Sequence, residues 1–535
     1  MNKEIIVNVA AAMAHRPGLA RTVRQADCTT LKQAAQAMSD AGYPVKTRWS
    51  DVTSPESAKA REGEYTMSQT TRPVNRSMVL TIIMVSYLML VIDISIVLTG
   101  LPRIQAALGF TPAGLSWIQN AYTLTFGGFL LLGARAGDIL GRRRMFITGL
   151  TIFTLASLAI GAAMTPAWMI SFRAVQGLGA AVLAPSTLAL ISTHFEEGHE
   201  RTRALSLYAA AAGIGATVGL VAGGLLADLI SWRAGFFINL PIGAALIAGS
   251  MRHIHETPRQ GGRFDMAGAL SSTLGMFALV FGIVEAAESG WGAVQTWASI
   301  MMGLLLLTSF LRIESVARQP LLPLALLTNT QRNAAYGVRL LFLCSMAGFW
   351  FFTAQYLQRV IGFSPMLAGL AFVPVTIPQL ATSLSVPAVV GCIGHRRVLL
   401  SGLTLCVAGV VWQGLAAHAA SYLGGVLGPM LLVGFGQGWV LAPLTVAGVA
   451  GVEPHNAGAA SGVLNVAHQV GATLGLAVLV VVYAGSSKTV YSIADMARHT
   501  GQALDVAAVF LTLGLLLAMR FLYFETITAR HRPGH

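Results

Sequence analysis

The sequence predicts an all-α membrane protein with fourteen transmembrane helices: two six-helix bundles in parallel pseudo-repeat, with two helices inserted between them. Three observations lead there. The composition is too apolar for a water-soluble domain, apolar runs come at regular intervals, and three segments recur at one offset. Of 535 residues, 55% are hydrophobic and 11% charged, where a soluble domain carries about 25% charged residues. The mean hydropathy is +0.66. This excludes a disordered chain and argues against a soluble enzyme. At ~20 apolar residues per crossing, the length has room for well over ten. Cys28, Cys344, Cys392 and Cys406 are scattered, so there is no disulfide framework or zinc spacing.

Residues 1–77 differ from the rest. They hold 11 of the 35 Lys/Arg and no apolar run long enough to span. They read as a flexible cytoplasmic extension. IIVNVAAAMA resembles a short signal-peptide core, but its leading MNKE has no net positive charge. A start at Met67 is the plainer alternative. Apolar runs then follow at 78–100, 114–134, 145–164, 167–192, 204–230 and 233–251, the first bundle occupying 78–251. The stretch 252–333 links the bundles and carries spans 266–285 and 294–312. The second bundle, 334–520, has spans 334–357, 365–389, 398–417, 422–449, 458–483 and 503–520, and 521–535 form a cytoplasmic tail. These runs lack the alternation of a membrane β-strand, so helices are expected. Loops after even-numbered spans, with the tail, hold 17 Arg, against 5 Arg/Lys on the other side. The positive-inside rule therefore places both termini in the cytoplasm, across an inner membrane. The net charge of +13 is then a topology signal and a contact with anionic headgroups of the bilayer, not a nucleic-acid footprint.

GRRRMFITGL (141–150) resembles GHRRVLLSGL (394–403), VLAPSTLA (182–189) resembles VLAPLTVA (440–447), and GATVGL (215–220) resembles GATLGL (471–476). The matches are collinear and pair span 3 with 11, 4 with 12 and 5 with 13. An even shift keeps the halves in the same orientation, and a shift of eight leaves two extra helices, spans 7 and 8, between them. Parallel repeats of this kind rock about a midplane site in secondary transporters.

Ionisable residues inside spans mark candidate chemistry. Asp93 and Arg173 lie at similar depth in spans 1 and 4, and the expectation is a proton-binding carboxyl whose balance Arg173 controls; a fixed structural pair is the alternative. The loop GARAGDILGRRRMF (133–146) offers Gly137 and Gly141 for a tight turn and Asp138, Arg142 and Arg143 for a charged clasp. The alternative is an ordinary basic loop. Gly215, Gly219, Gly223 and Gly224 form a small-residue packing stripe, with span 13 or span 8 as the expected partner. Gln119, Asn120, Gln355, Gln437, Asn465 and His468 are candidates to line a cavity or to bridge helices. Arg339 is expected to snorkel. No phosphate loop, zinc-protease motif or nucleophile elbow is present. The reading is therefore a non-enzyme without cofactor or metal, with an ion gradient as the energy source for uphill transport.

At these residues the chain resembles the major facilitator superfamily, and within it the fourteen-spanner drug:proton antiporters of the EmrB/QacA type. The resemblance runs from about Met78 to Phe521. It rests on Gly137, Asp138, Gly141, Arg142 and Arg143 of loop 2–3; on Asp93, Ser95, Ile96, Val97, Leu101 and Pro102 of span 1; and on Arg173, Gln176, Gly177 and Gly179 of span 4. WRAGFFINLPIG (232–243), YLQRVIGFSPMLAGLAFVP (356–374) and AGAASGVLNVAHQVGATLG (457–475) are similar to segments of this subfamily. The chain departs from the pattern at Ala134, Ile139, Leu98, Ala216 and His468. The resemblance implies efflux of small lipophilic or cationic drug-like compounds in exchange for protons, with a periplasmic adaptor as a partner where the host has an outer membrane. Rival readings are a transporter of the same fold for one metabolite or for uptake, and a non-transporting membrane sensor.

Overall fold

The computed structural model describes residues 76–522, apart from 196–198, 257–264, 318–319, 321, 323, 451, 453–456 and 486–491. The extension up to residue 75, with the Met67 start and the signal-like core, and the tail from 523 lie outside the described residues. Among the described residues the regular structure is helical throughout, as lipid requires of a chain that must satisfy its own backbone. In order the helices are α1 Arg76–Leu108, α2 Trp117–Leu140, α3 Arg142–Gly161, α4 Pro166–His194, α5 His199–Leu229, α6 Ala234–Phe237 and α7 Asn239–His253. They continue as α8 Met266–Ser289, α9 Val294–Val316, α10 Thr330–Arg359, α11 Pro365–Ala371, α12 Val373–Ala416, α13 Gly428–Val449, α14 Ala457–Ala484 and α15 Ile493–Phe521. Twelve stretches are long and apolar enough to cross a membrane, and Ile214–Leu229 is a shorter apolar helix.

Local chemistry sets the boundaries. Thr165 and Ser364 cap α4 and α11 by accepting from the backbone N–H three residues on, each with proline in the first helical turn. Gly141 separates α2 from α3 at φ 109°, a conformation that side-chain-bearing residues rarely adopt. Gly394, its counterpart in the sequence repeat, sits at φ 82° and divides α12 into two helices.

The repeat visible in the sequence recurs as repeated packing. A Cβ on Gly219 would lie 2.9 Å from the Ile92 Cα of α1, and one on Gly475 would lie 2.1 Å from the Cys344 Cα of α10. A Cβ on Gly149 would lie 2.9 Å from the Gly179 carbonyl oxygen, and one on Gly402 would lie 2.8 Å from that of Gly436. A Cβ on Gly177 would overlap the Tyr122 carbonyl, and one on Gly434 would overlap that of Val375. The crossings α1–α5, α3–α4 and α2–α4 are thus built again as α10–α14 and, twice over, α12–α13. Without a hydrophobic drive between helices in lipid, this close backbone approach supplies the packing energy.

Here one expectation is corrected. The glycine stripe of α5 does not face α14 or α9: Gly215, Gly219 and Gly223 lie on α1, and Gly224 lies on the Pro365 carbonyl of α11. A stripe of small residues specifies a close neighbour without specifying which one. The inserted helices sit to one side. α8 packs on α9, α2 and α14, and Thr273 of α8 fills the space beside Gly128. Much of α9 is bare, with Val294, Met301 and Leu305 more than half exposed, as suits a lipid-facing helix.

Gly475→Leu should overpack the α10–α14 crossing and cost about 1–3 kcal/mol, read as a lower unfolding temperature in detergent. Gly391→Ala, at a position where a Cβ meets nothing within 4 Å, should leave that temperature unchanged or raise it.

Candidate functional site

A cavity of about 310 Å³ lies among helices of both halves. α1, α2, α4 and α5 give it Leu98, Gln119, Tyr122, Thr123, Arg173 and Leu220; α10, α12, α13 and α14 give it Phe342, Met346, Trp350, Gln379, Gln437, His468 and Gln469. The walls are thus mainly apolar and aromatic, with four glutamine amides set into them. Tyr122 is 2% exposed, and its hydroxyl has no hydrogen-bond partner.

Arg173 forms part of this wall, and Asp93 lies behind it. Both are 1% exposed. The Arg173 Nη1 donates to Asp93 Oδ2 at 2.8 Å and to Gln176 Oε1 at 2.5 Å. Its Nε donates to the Ile118 carbonyl at 2.9 Å, and its guanidinium lies 4.4 Å from the centre of the Tyr122 ring. The second carboxylate oxygen of Asp93 accepts from Gln176 Nε2 and from Asn239 Nδ2, each at 2.9 Å. Ser157 accepts from the same two amides (2.8 and 3.2 Å) and donates to the Phe153 carbonyl. The network draws on α1, α3, α4 and α7. It offsets two charges against each other and gives the carboxylate three donors, the condition under which a buried pair is tolerated.

The loop between α2 and α3 is a second polar centre. Arg142 donates to Asp138 at 3.1 Å and to the Ala189 carbonyl of α4 at 3.2 Å. Arg143 reaches the Met251 carbonyl of α7 at 2.7 Å. Glu256 accepts from the Arg143 and Arg144 backbone N–H groups at 3.0 and 3.2 Å. It caps the otherwise unsatisfied start of α3, where negative charge is favoured. Gly141 has this carboxylate pressed against it. Gly137 lies beside Arg142 and Ser186.

The remaining candidates divide. Gln119, Gln437 and His468 line the cavity. Asn120 is buried, with an unpartnered amide nitrogen; Gln355 is buried in α10; exposed Asn465 donates to the Ser461 carbonyl. None of these three is a lining residue. Arg339 does not snorkel. It is 8% exposed and donates to Thr445 Oγ1 at 3.1 Å, with its Nη2 lying 3.3 Å from His468 Nδ1. Its partners come from α13 and α14, distant in sequence, so position within its own span could not reveal them. Ser157, Tyr122 and Glu256 carry no motif. Only the acid's place just after span 6 hinted at Glu256.

An all-helical bundle around a mainly apolar chamber, with the arginine of a buried ion pair in its wall, is the architecture of a membrane-embedded transporter of small molecules. The chain belongs to the Major Facilitator Superfamily, whose profile matches residues 83–476. It is 37% identical over 454 residues to the cephamycin export protein CmcT of Amycolatopsis lactamdurans, covering 84% of this chain and 93% of that one. It is 36% identical over 462 residues to the puromycin resistance protein pur8 of Streptomyces alboniger, covering 84% and 91%. Among solved structures, the nucleoside transporter NupG aligns with a TM-score of 0.61 at 13% identity, covering 83% of this chain and all of that one; that likeness concerns the fold alone.

Arg173→Leu leaves a buried carboxylate without its counter-ion and should cost about 3–5 kcal/mol. Asp93→Leu combined with Arg173→Leu should cost clearly less than the sum of the two single changes. A double-mutant cycle on detergent unfolding checks this; simple additivity would show that the pair is not energetically coupled.

Proposed function

We propose that this chain is a proton-driven exporter of small, lipophilic drug-like compounds working by alternating access, of the fourteen-spanner EmrB/QacA type. The observation that carries the reading is the placement of Asp93 directly behind Arg173, itself a wall of the cavity. The names of the relatives, a cephamycin exporter and a puromycin resistance protein, support export as the direction.

In this reading residues 78–251 and 334–520 are the two bundles, with the inserted pair between them. The proposed count of fourteen adds two crossings to the twelve apolar stretches. Pro365–Ala419 is 55 residues long, about 80 Å at ~1.5 Å per residue against a hydrocarbon core of ~30 Å, so the break at Gly394 makes it two crossings. α5, with its apolar Ile214–Leu229 portion, supplies the other. Fourteen crossings put both termini on the side where the loop arginines cluster, the cytoplasm of an inner membrane.

Rocking of the bundles must break contacts at each end in turn. At the Leu108 end of α1, Gln358 Nε2 of α10 donates to the Thr99 carbonyl at 3.1 Å, and Arg359 bonds Gln105. At the other end the Asp138–Arg142 clasp, which ties the loop to α4 and α7 inside the first bundle and is not itself a contact between the halves, is the proposed gating element. Proton movement couples to this through Asp93. In the present arrangement Arg173 is the counter-ion of Asp93. When the pair separates in the low-dielectric interior, an uncompensated charge is costly, and a proton takes the guanidinium's place. A substrate pressing on Arg173 from the cavity and a proton arriving at Asp93 therefore compete for one arrangement.

In everted vesicles with an imposed proton gradient, the wild type should accumulate puromycin or a reporter dye and release it on addition of an uncoupler. Asp93→Asn should lose at least ten-fold of the gradient-driven accumulation while still binding the compound. Undiminished coupling in that variant would overturn the role of Asp93.

A further inference from the structure

We propose that the cavity receives a carboxylate on an otherwise apolar substrate, bound by His468 with Arg339 behind it. This rests on the exporter reading and narrows its substrate class.

Arg339 is buried in α10 and belongs to none of the ion pairs among the described residues. Its contacts are the Thr445 hydroxyl and the His468 ring, and its Nε has no partner. A guanidinium at this depth without an anion is costly. The other buried arginine of the site, Arg173, is already neutralised by Asp93. Among the described residues Arg339 is therefore an uncompensated charge beside the chamber.

The contact with His468 also fixes a proton. A guanidinium only donates, so His468 Nδ1 accepts and the ring hydrogen of the neutral imidazole sits on Nε2. Among the described residues no group bonds that Nε2–H, and His468 lines the cavity. An N–H donor backed by an unpaired positive charge is a carboxylate receptor, because charge-assisted hydrogen bonds are the strong ones.

The rest of the lining agrees. Among the described residues that form the wall there is no Asp or Glu; the polar lining consists of Ser95, Thr123, Tyr122, Arg173, His468 and the four glutamines. A cationic substrate, the other class implied by the family resemblance, meets no free anion here. The aromatic and aliphatic wall from Phe342 to Trp350 takes the apolar body.

Three probes with one apolar body separate the possibilities: 1-pyrenebutyric acid, its methyl ester, and the corresponding trimethylammonium compound. Trp350 lines the cavity, so energy transfer from tryptophan to pyrene in the purified full-length protein in nanodiscs reports binding. The acid should bind at least ten-fold more tightly than the ester or the ammonium compound. Arg339→Gln should reduce the acid to the level of the ester and leave the ester unchanged, and Arg339→Lys should restore part of the difference. His468→Gln, which keeps a donor but breaks the relay to Arg339, should lower acid affinity several-fold. Equal or tighter binding of the ester or ammonium compound by the wild type overturns the proposal, and that comparison needs no variant to fold. An equal loss of all three probes in Arg339→Gln also overturns it. Selective acid binding with no gradient-driven transport of any compound would leave the carboxylate site standing and remove the exporter reading; proton-driven transport without acid preference would do the reverse.

Discussion

A lone charge in hydrocarbon is costly, and the Asp93–Arg173 pair is how this fold meets that constraint at its centre. The carboxylate is shared among donors from α4 and α7, and Ser157 of α3 accepts from two of the same donors. One acid on α1 therefore fixes the relative positions of four helices. The same interaction shapes the chamber, because the arginine held by Asp93 is one of its walls. Structural satisfaction and the proposed proton switch use identical atoms, so the switch cannot move without loosening the packing around it.

The seams between the halves differ in kind. Where α5 meets α11, backbone lies on backbone: a Cβ on Gly224 would overlap the Pro365 carbonyl, and one on Gly369 the Leu220 carbonyl. Where α2 meets α14, the contacts are side chains, with Gln469 against Gly127 and Leu131 against Gly462. α8 leans on both helices of this second seam. Close backbone crossings resist sliding, whereas side chains can change rotamer. In the alternating-access proposal, the α5–α11 seam suits a pivot and the α2–α14 seam an opening, with α8 flanking the latter.

The helical class, the positions of most helices and the internal repeat were legible because each rests on a strong local signal: apolar runs, glycines at turns, and near-identical segments such as GATVGL and GATLGL. Asp93 and Arg173 stood out as ionisable residues in apolar surroundings. What escaped was the identity of partners. Glycine spacing on α5 announced a close neighbour, yet only three-dimensional packing says that the neighbour is α1. Arg339 looked like a side chain free to reach water, because Thr445 and His468 lie more than a hundred residues away in sequence. Ser157 and Tyr122 are common residue types in membrane helices, and nothing in their spacing distinguishes them from ordinary packing. Of the polar residues proposed for the cavity, Gln119, Gln437 and His468 line it, while Asn120, Gln355 and Asn465 do not. Helical position alone does not decide between an inward face and a neighbouring helix.

The glutamines at 119, 379, 437 and 469 surround the chamber with primary amides. Turning such a group end over end about its last torsion, a soft one, exchanges an oxygen for an NH₂ without changing its volume. Gln437 already donates to Met346 Sδ, but at the other three points the lining can present either polarity while the rigid apolar shell stays put. Chemical breadth in what the chamber accepts would then come from rotation of a few terminal bonds, with no need for a loose or malleable container.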